Sequence, residues 1–202
     1  MSRRKLPRAF YMRDDVVTIS RELLGKFLFT RVDGKLTGGI IVETEAYRGT
    51  DDRACHAYNN RFTKRNAVMH GPGGYAYVYL CYGIHHLFNI VVNRAGQADA
   101  VLVRAIEPTH GVEVMLQRRG MAAFNYRLTS GPGSVSRALG ITTQHYGVDL
   151  LGSIIWLEDR GVRYGADAIV ATPRVGVEYA GEHARYPWRF FVKDSRWVSQ
   201  RG

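Results

Sequence analysis

Apolar positions along the 202-residue chain fall first on a helical period and then on an alternating one. Val16, Ile19, Leu23 and Leu24 recur at helical spacing, Asp14 or Asp15 stands where an N-cap belongs, and Gly25 marks a stop, which predicts a helix to about residue 25. From Phe27 the pattern changes. Residues 27–32 and 36–47 are rich in apolar and β-branched side chains, and Asp33-Gly34 between them predicts a type I′ hairpin turn. In a second hairpin Tyr75, Tyr77 and Tyr79 alternate along one strand, Cys81-Tyr82-Gly83-Ile84 forms the tip, and residues 87–92 return. Residues 100–106 read as a strand ended by Glu107-Pro108. A helix from Thr109 or Gly111 to about Arg119 follows, with Val112, Met115 and Leu116 facing inward, and a further helix after Gly131-Pro132-Gly133 stops near Gly140. The last third alternates short strands, 154–158, 169–171 and 189–192, with irregular connections. Strands grouped into hairpins with helices apart predict an α+β fold: a single domain, 1–202, with a curved antiparallel β-sheet, surrounding helices and a protruding β-hairpin. Residues 1–12 are expected to form a flexible basic tail.

Composition narrows the class. With 46% hydrophobic and 23% charged residues the chain sits among soluble globular domains and away from disordered or collagen-like ones. No apolar run approaches the ~20 residues of a membrane span, and the basic start lacks the apolar stretch of a signal peptide, so an intracellular protein is expected. Cys55 and Cys81, the only cysteines, have no metal-type or paired spacing and are expected to be reduced. A formal charge of +10, mostly from arginine, points to a polyanionic partner, nucleic acid first, because neutralising phosphates releases condensed counterions. A high-GC genome produces the same arginine bias without a functional reason.

Candidate chemistry concentrates in a few places. In the run 42–47 (Val-Glu-Thr-Glu-Ala-Tyr), strand periodicity puts Glu43, Glu45 and Tyr47 on one face, with the two carboxylate-bearing Cα atoms ~7 Å apart, a separation suited to glycosidic hydrolysis. A solvated strand face with scattered charge is the bland alternative. Arg104, amid Val101, Leu102, Val103 and Ala105, must find a carboxylate, a phosphate or water, and Glu43 or Glu45 can supply it. Tyr82 at a hairpin tip lacks neighbours to bury it and is placed to wedge into a base stack. The polar stretch 48–74, with Asp51, Asp52, His56, Arg61, Lys64 and Arg65, is too long for an idle connection. Gly131-Pro132-Gly133-Ser134 can offer amides to a phosphate or simply form a turn. The histidines show no metal-binding spacing, and no metal is expected.

Taken together, the motifs resemble the alkyladenine (3-methyladenine) DNA glycosylase family over residues 11–198. The resemblance is carried by the run 42–47 with His56 eleven residues after Glu45, Arg61 with Lys64-Arg65-Asn66, the run 77–83, Phe88-Asn89-Ile90, the run 101–108, Ser130-Gly131-Pro132-Gly133, Arg174-Val175-Gly176-Val177, Ala180-Gly181-Glu182, and Pro187-Trp188-Arg189-Phe190. It implies a cofactor-free, monofunctional glycosylase that flips an alkylated or deaminated purine (3-methyladenine, 7-methylguanine, hypoxanthine or ethenoadenine) from duplex DNA and hydrolyses its N-glycosidic bond. By the same resemblance Glu45 deprotonates the water, which Arg104 and the Val175 carbonyl help to hold. Tyr47, His56, Tyr79, Tyr77 and Leu102 line the base pocket, the His56 amide donates to the purine, and Asn89 crowds the amine of normal guanine. Tyr82 fills the gap in the duplex with Ile84 packed beside it, Arg61, Arg65, Gly131 and Gly176 are assigned to phosphate, and Glu43 is structural. Ser134 departs from the lysine that relatives often carry near that turn. None of Lys5, Lys26, Lys35, Lys64 and Lys193 falls within the catalytic motifs, so no lyase activity is expected. The partner is damaged double-stranded DNA, a monomer suffices, and a bacterial cytoplasm, or a nucleus in a eukaryote, is the expected location. The rival readings are a sugar or nucleoside hydrolase using Glu43 and Glu45 as an acid/base pair, which leaves the +10 charge unexplained, and a non-catalytic module stacking single-stranded bases, which leaves Glu45 without a role.

Overall fold

A computed structural model describes residues 4–200. In chain order the elements are β1 (Arg4–Lys5), α1 (Arg8–Tyr11), α2 (Val16–Glu22), β2 (Phe27–Val32), β3 (Lys35–Tyr47), β4 (Ala76–Cys81), β5 (His85–Val92), β6 (Asp99–His110), α3 (Val112–Arg119), α4 (Pro132–Leu139), β7 (Ile155–Asp159), β8 (Ile169–Thr172) and β9 (Arg189–Val192). Among the described residues nine strands form one antiparallel sheet in the order β1-β7-β2-β3-β6-β5-β4, with β9 paired to β3 and β8 to β9. This is the expected α+β class. The 13-residue β3 organises it: one edge is covered by β6, while the other is shared by β2 along Lys35 to Ile40 and by β9 along Glu43 to Glu45. Register against β6 shifts between Ile41 and Glu43 and again before Thr44, so the two carboxylates sit at a bulge where the sheet divides.

Local chemistry accounts for the element boundaries. Asp15 caps α2 by accepting from the Val17 and Thr18 amides, and Gly25 at φ +86° turns the chain into β2. The Asp33-Gly34 turn has positive φ at both positions, 53° and 71°, as a type I′ turn requires. β6 does not end at Glu107-Pro108 but runs to His110. Pro108 is tolerated because it pairs opposite Gly39 at a register shift, where an added Cβ would lie 2.3 Å from the Glu107 carbonyl oxygen. Helices α2, α3 and α4 bury Ile19, Met115, Val135 and Leu139 in one cluster with Ile41, Val42 and Val103 of the sheet. No helix among the described residues is long and apolar enough to cross a membrane.

Residues 4–12 are not a tail, which corrects the expectation from their basic composition; residues 1–3 of that segment lie outside the described residues. β1 pairs with β7, and Tyr11 is fully buried. Arg8 holds the Asp149 carboxylate with both guanidinium bonds at 2.7 and 2.8 Å and donates to the Gly73 carbonyl. Gly73 allows this docking, since a Cβ there would meet the Tyr11 carbonyl oxygen at 2.2 Å. Charge counts concealed two apolar anchors, Leu6 and Tyr11. The Tyr11 hydroxyl is buried without a hydrogen-bond partner, so the ring rather than the oxygen stabilises the fold. Tyr11→Ala is expected to lower stability by about 3–5 kcal/mol in urea unfolding while Tyr11→Phe matches or exceeds wild type; an unchanged midpoint for the alanine variant would return the segment to the status of a tail.

Candidate active site

Strand alternation in β3 sends Thr44 toward α2, where it donates to the Ser20 carbonyl, and sends Glu43 and Glu45 to the opposite face. Both carboxylates have no exposed surface, so the solvated-face reading is excluded. β6 supplies Arg104 between them: its Nε donates to Glu43 Oε1 at 3.0 Å and its Nη1 lies 3.3 Å from Glu45 Oε1. Burial pulls the Arg104 pKa down, but the two carboxylates outweigh it and the net shift is upward. β9 brings a second cation, Arg189, whose Nε donates to Glu43 Oε1 at 2.8 Å. Glu45 also accepts from the Tyr47 hydroxyl at 2.7 Å and from the Val175 amide at 2.8 Å. Burial, then the Glu45 charge, drives the Tyr47 pKa well above the ordinary phenol range, which keeps it a donor. A carboxylate offers about four lone-pair sites; Glu45 accepts two protein hydrogen bonds, from Tyr47 and Val175, beside its ion pair with Arg104, which leaves room for a further donor such as water.

In front of this network opens a cleft of about 640 Å³. Its walls bring together the expected Tyr47, His56, Tyr77, Tyr79, Asn89 and Leu102, and Arg65, Tyr82, Arg104, Gly131, Val175 and Gly176 also border it. The stretch 48–74 packs as a wall, with Cys55, Ala57 and Met69 buried against Tyr77, Val91 and Ala100. The His56 ring meets Tyr79 edge-on at 4.7 Å between centroids, and His56 Nδ1 is 2.8 Å from the Tyr77 hydroxyl. Desolvation, with a smaller push from Arg65, lowers the His56 pKa from 6.5 to about 4, so the ring is neutral at physiological pH. Desolvation likewise raises Tyr77 and Tyr79, which stay protonated. Asn89 is fixed by its Nδ2, which donates to the Tyr77 and Leu87 carbonyls. At the mouth, Arg65 lies over the Tyr79 ring at 4.9 Å. The hairpin tip projects Tyr82 at 88% exposure and Ile84 at 71%, with Tyr82 and Gly83 both at positive φ. Arg61 is exposed and, like Ile84 and Glu45, is not part of the cleft wall; Glu45 lies behind Tyr47, Arg104 and Val175.

Several supporting residues were not assigned roles from the sequence. Arg174 grips Asp52, Nη2 to Oδ1 at 2.8 Å with a second bond from Nη1 to Oδ2, both side chains wholly buried, and stacks over Tyr47 at 4.8 Å. This pins the turn whose next amide reaches Glu45. Asn66 donates to the carbonyls of His56 and Arg61 and so shapes the wall from within. Arg189 and Ser199 complete the coordination of Glu43. Arg174, Asn66 and Arg189 fall inside the motifs named above; the buried-charge argument applied to Arg104 extends to Arg189, flanked by Trp188 and Phe190-Phe191-Val192, but not to Asn66 or Arg174, which lie in no apolar run.

A buried, donor-ringed carboxylate behind an aromatic cleft, beside a projecting apolar hairpin on a cationic chain, has the form of a DNA glycosylase. Comparison with known proteins agrees: the Methylpurine-DNA glycosylase (MPG) family pattern matches residues 9–196. A protein of Chlamydia felis (strain Fe/C-56), provisionally named 3-methyladenine DNA glycosylase, is 46% identical over 188 residues, covering 93% of this chain and 95% of its own. Proteins with the same provisional name from Alkaliphilus oremlandii (strain OhILAs) and Bacillus cereus (strain G9842) are 43% and 41% identical, covering 98% and 96% of this chain and 100% and 98% of theirs. The chain belongs to the methylpurine-DNA glycosylase family, and is thus a DNA-binding hydrolase of N-glycosyl bonds in DNA repair.

The neutral His56 carries a stability signature. Its folded pKa of about 4 lies below the unfolded value of 6.5, so between these values the unfolded chain binds the extra proton and folded stability falls as the pH drops. His56→Gln is expected to lose less melting temperature than wild type on acidification through that window; parallel loss in both proteins would contradict the lowered His56 pKa.

Proposed function

We propose that the protein hydrolyses the N-glycosidic bond of alkylated or deaminated purines flipped out of duplex DNA, with Glu45 as the base. The observation that carries this is the placement of Glu45, held as an acceptor by Tyr47, Val175 and Arg104 directly behind the cleft. A flipped purine stacks against the aromatic walls of Tyr47, His56 and Tyr79, with Tyr77 and Leu102 behind and the His56 amide donating to the base. Glu45 takes a proton from water held with the help of Arg104 and the Val175 carbonyl, the water oxygen bonds to the anomeric carbon, and the carbon–nitrogen bond electrons leave with the purine. An N-alkylated purine is electron-poor and departs without a second carboxylic acid. Asn89 narrows the pocket against the exocyclic amine of normal guanine, and flipping is easiest where damage has weakened pairing.

Tyr82, with Ile84 beside it, fills the space the base vacates, which its exposure at the hairpin tip favours. Arg61, Arg65 and the amides at Gly131 and Gly176 contact phosphate; Gly131 opens α4, and both glycines hold φ values of 105° and 72° that suit backbone approach. The sugar-hydrolase alternative loses its acid, because Glu43 is engaged by Arg104, Arg189 and Ser199.

In single-turnover reactions on methylated duplex DNA, Glu45→Gln is expected to reduce release of 3-methyladenine by at least about a hundredfold while binding persists. Equal release by both proteins would remove Glu45 from the mechanism, and DNA binding without release by wild type would favour a non-catalytic module. Among the described residues no lysine borders the cleft, and Lys26 is paired with Asp159 at 2.9 Å. Borohydride is therefore expected to trap no covalent complex with DNA; a trapped species would establish an amine nucleophile and a lyase step.

A further inference from the structure

We infer that Ser199 is a positioning residue of the catalytic centre, aiming the Arg104 guanidinium at Glu45. The inference rests on the proposed role of Glu45 and extends the centre to a segment remote from the cleft motifs. Glu43 Oε2 accepts from the Ser199 amide at 2.6 Å and Glu43 Oε1 from the Ser199 hydroxyl at 2.8 Å. The same hydroxyl accepts from Arg104 Nη2 at 3.2 Å. One side-chain oxygen thus donates to the carboxylate and accepts from the cation that the carboxylate holds.

A guanidinium is planar, so fixing two of its nitrogens fixes the direction of the third. Arg104 Nε is fixed by Glu43 and Nη2 by Ser199, which places Nη1 within ion-pair distance of Glu45 Oε1, at 3.3 Å. Glu43 alone leaves the plane free to turn about the Nε contact. The segment is itself immobilised: Trp197 and Val198 are buried, the Ser130 hydroxyl donates to the Val198 carbonyl at 3.2 Å, and Arg189, already on Glu43, also donates to the Gln200 carbonyl. Ser130 adjoins Gly131 at the cleft, so one bond ties the α4 entrance to the segment that orients Arg104.

The test compares wild type, Ser199→Ala and Ser199→Thr in single-turnover release of 3-methyladenine from methylated duplex DNA. Affinity for a duplex carrying a tetrahydrofuran abasic analogue and the melting temperature are measured in parallel. Ser199→Ala is expected to slow excision roughly tenfold with affinity changed less than about twofold and melting retained, and Ser199→Thr to restore the rate. On an Arg104→Gln background the alanine change is expected to add less than about twofold, because the group it aims is gone. A wild-type rate for Ser199→Ala, a loss matched by affinity or melting, failure of threonine to rescue, or the same factor on both backgrounds would overturn the assignment. Glu45→Gln in the same assay separates the two readings: if it excises normally the role of Glu45 fails, whereas its inactivity beside a fully active Ser199→Ala removes Ser199 alone.

Discussion

The structure depends on sequestering two carboxylates two residues apart on one strand. Glu43 and Glu45 share a face and have no exposed surface, a placement that is prohibitive for bare charges in a low-dielectric interior. Arg104 and Arg189 balance the two charges, and hydrogen bonds from Tyr47 and Val175 to Glu45 and from Ser199 to Glu43 add to them, leaving Glu45 room for one more donor. Each of these partners comes from a different part of the chain, so satisfying the pair forces β6, β9, the turn after β8 and the segment at Ser199 to converge on the middle of β3. Buried ion clusters of this kind are poor sources of net stability, since apolar residues of equal volume often hold a fold better. Under the proposed function, chemistry that needs a dry, oriented carboxylate accounts for such a cluster on this strand.

The bulge in β3 converts that electrostatic demand into shape. Register shifts flanking Glu43 let β2 leave one half of the strand edge and β9 take up the other, and the opening between them admits the Arg174–Val175 turn to Glu45. The stretch 48–74 then closes the side wall with its own small core and with Asn66 bridging two of its carbonyls. The wall is therefore as built as the sheet, which suits a pocket that must hold rings in register.

Much of this was legible in the sequence where one rule dominated. The Asp33-Gly34 turn, the Asp15 cap and the Gly140 stop follow from backbone preferences, and Gly83 supplies the same freedom beside Tyr82 at the second hairpin tip. Arg104 declared itself by being charged in an apolar run. The failures have equally specific causes. Pro108 suggests a strand end, yet the facing Gly39 creates the space that lets β6 continue. The segment 1–12 reads as a tail because its four basic residues, Arg3, Arg4, Lys5 and Arg8, outweigh Leu6 and Tyr11 in any average, although burial is decided by those two. Asp52, Arg174 and Ser199 were silent because their meaning lies in pairings across more than a hundred residues, which no local period encodes.

Under the proposed function, the distribution of charge constrains how damage is distinguished. At neutral pH the inner walls present protonated phenols and a neutral His56, since desolvation acts on each in the direction that removes charge. The Glu45 charge behind the wall is matched by Arg104, which borders the cleft, and the cation at the mouth, Arg65, is placed over Tyr79. A cationic lesion such as a methylated purine thus meets π-faces and not an unpaired anion, so recognition falls to stacking, to the width set by Asn89 and to the ease of flipping. Such a pocket accepts neutral and cationic purines alike. Discrimination between them then shifts to the bond-breaking step, where an electron-poor base leaves readily and a normal one does not, and the orientation of Glu45 by Arg104 acts on that same step.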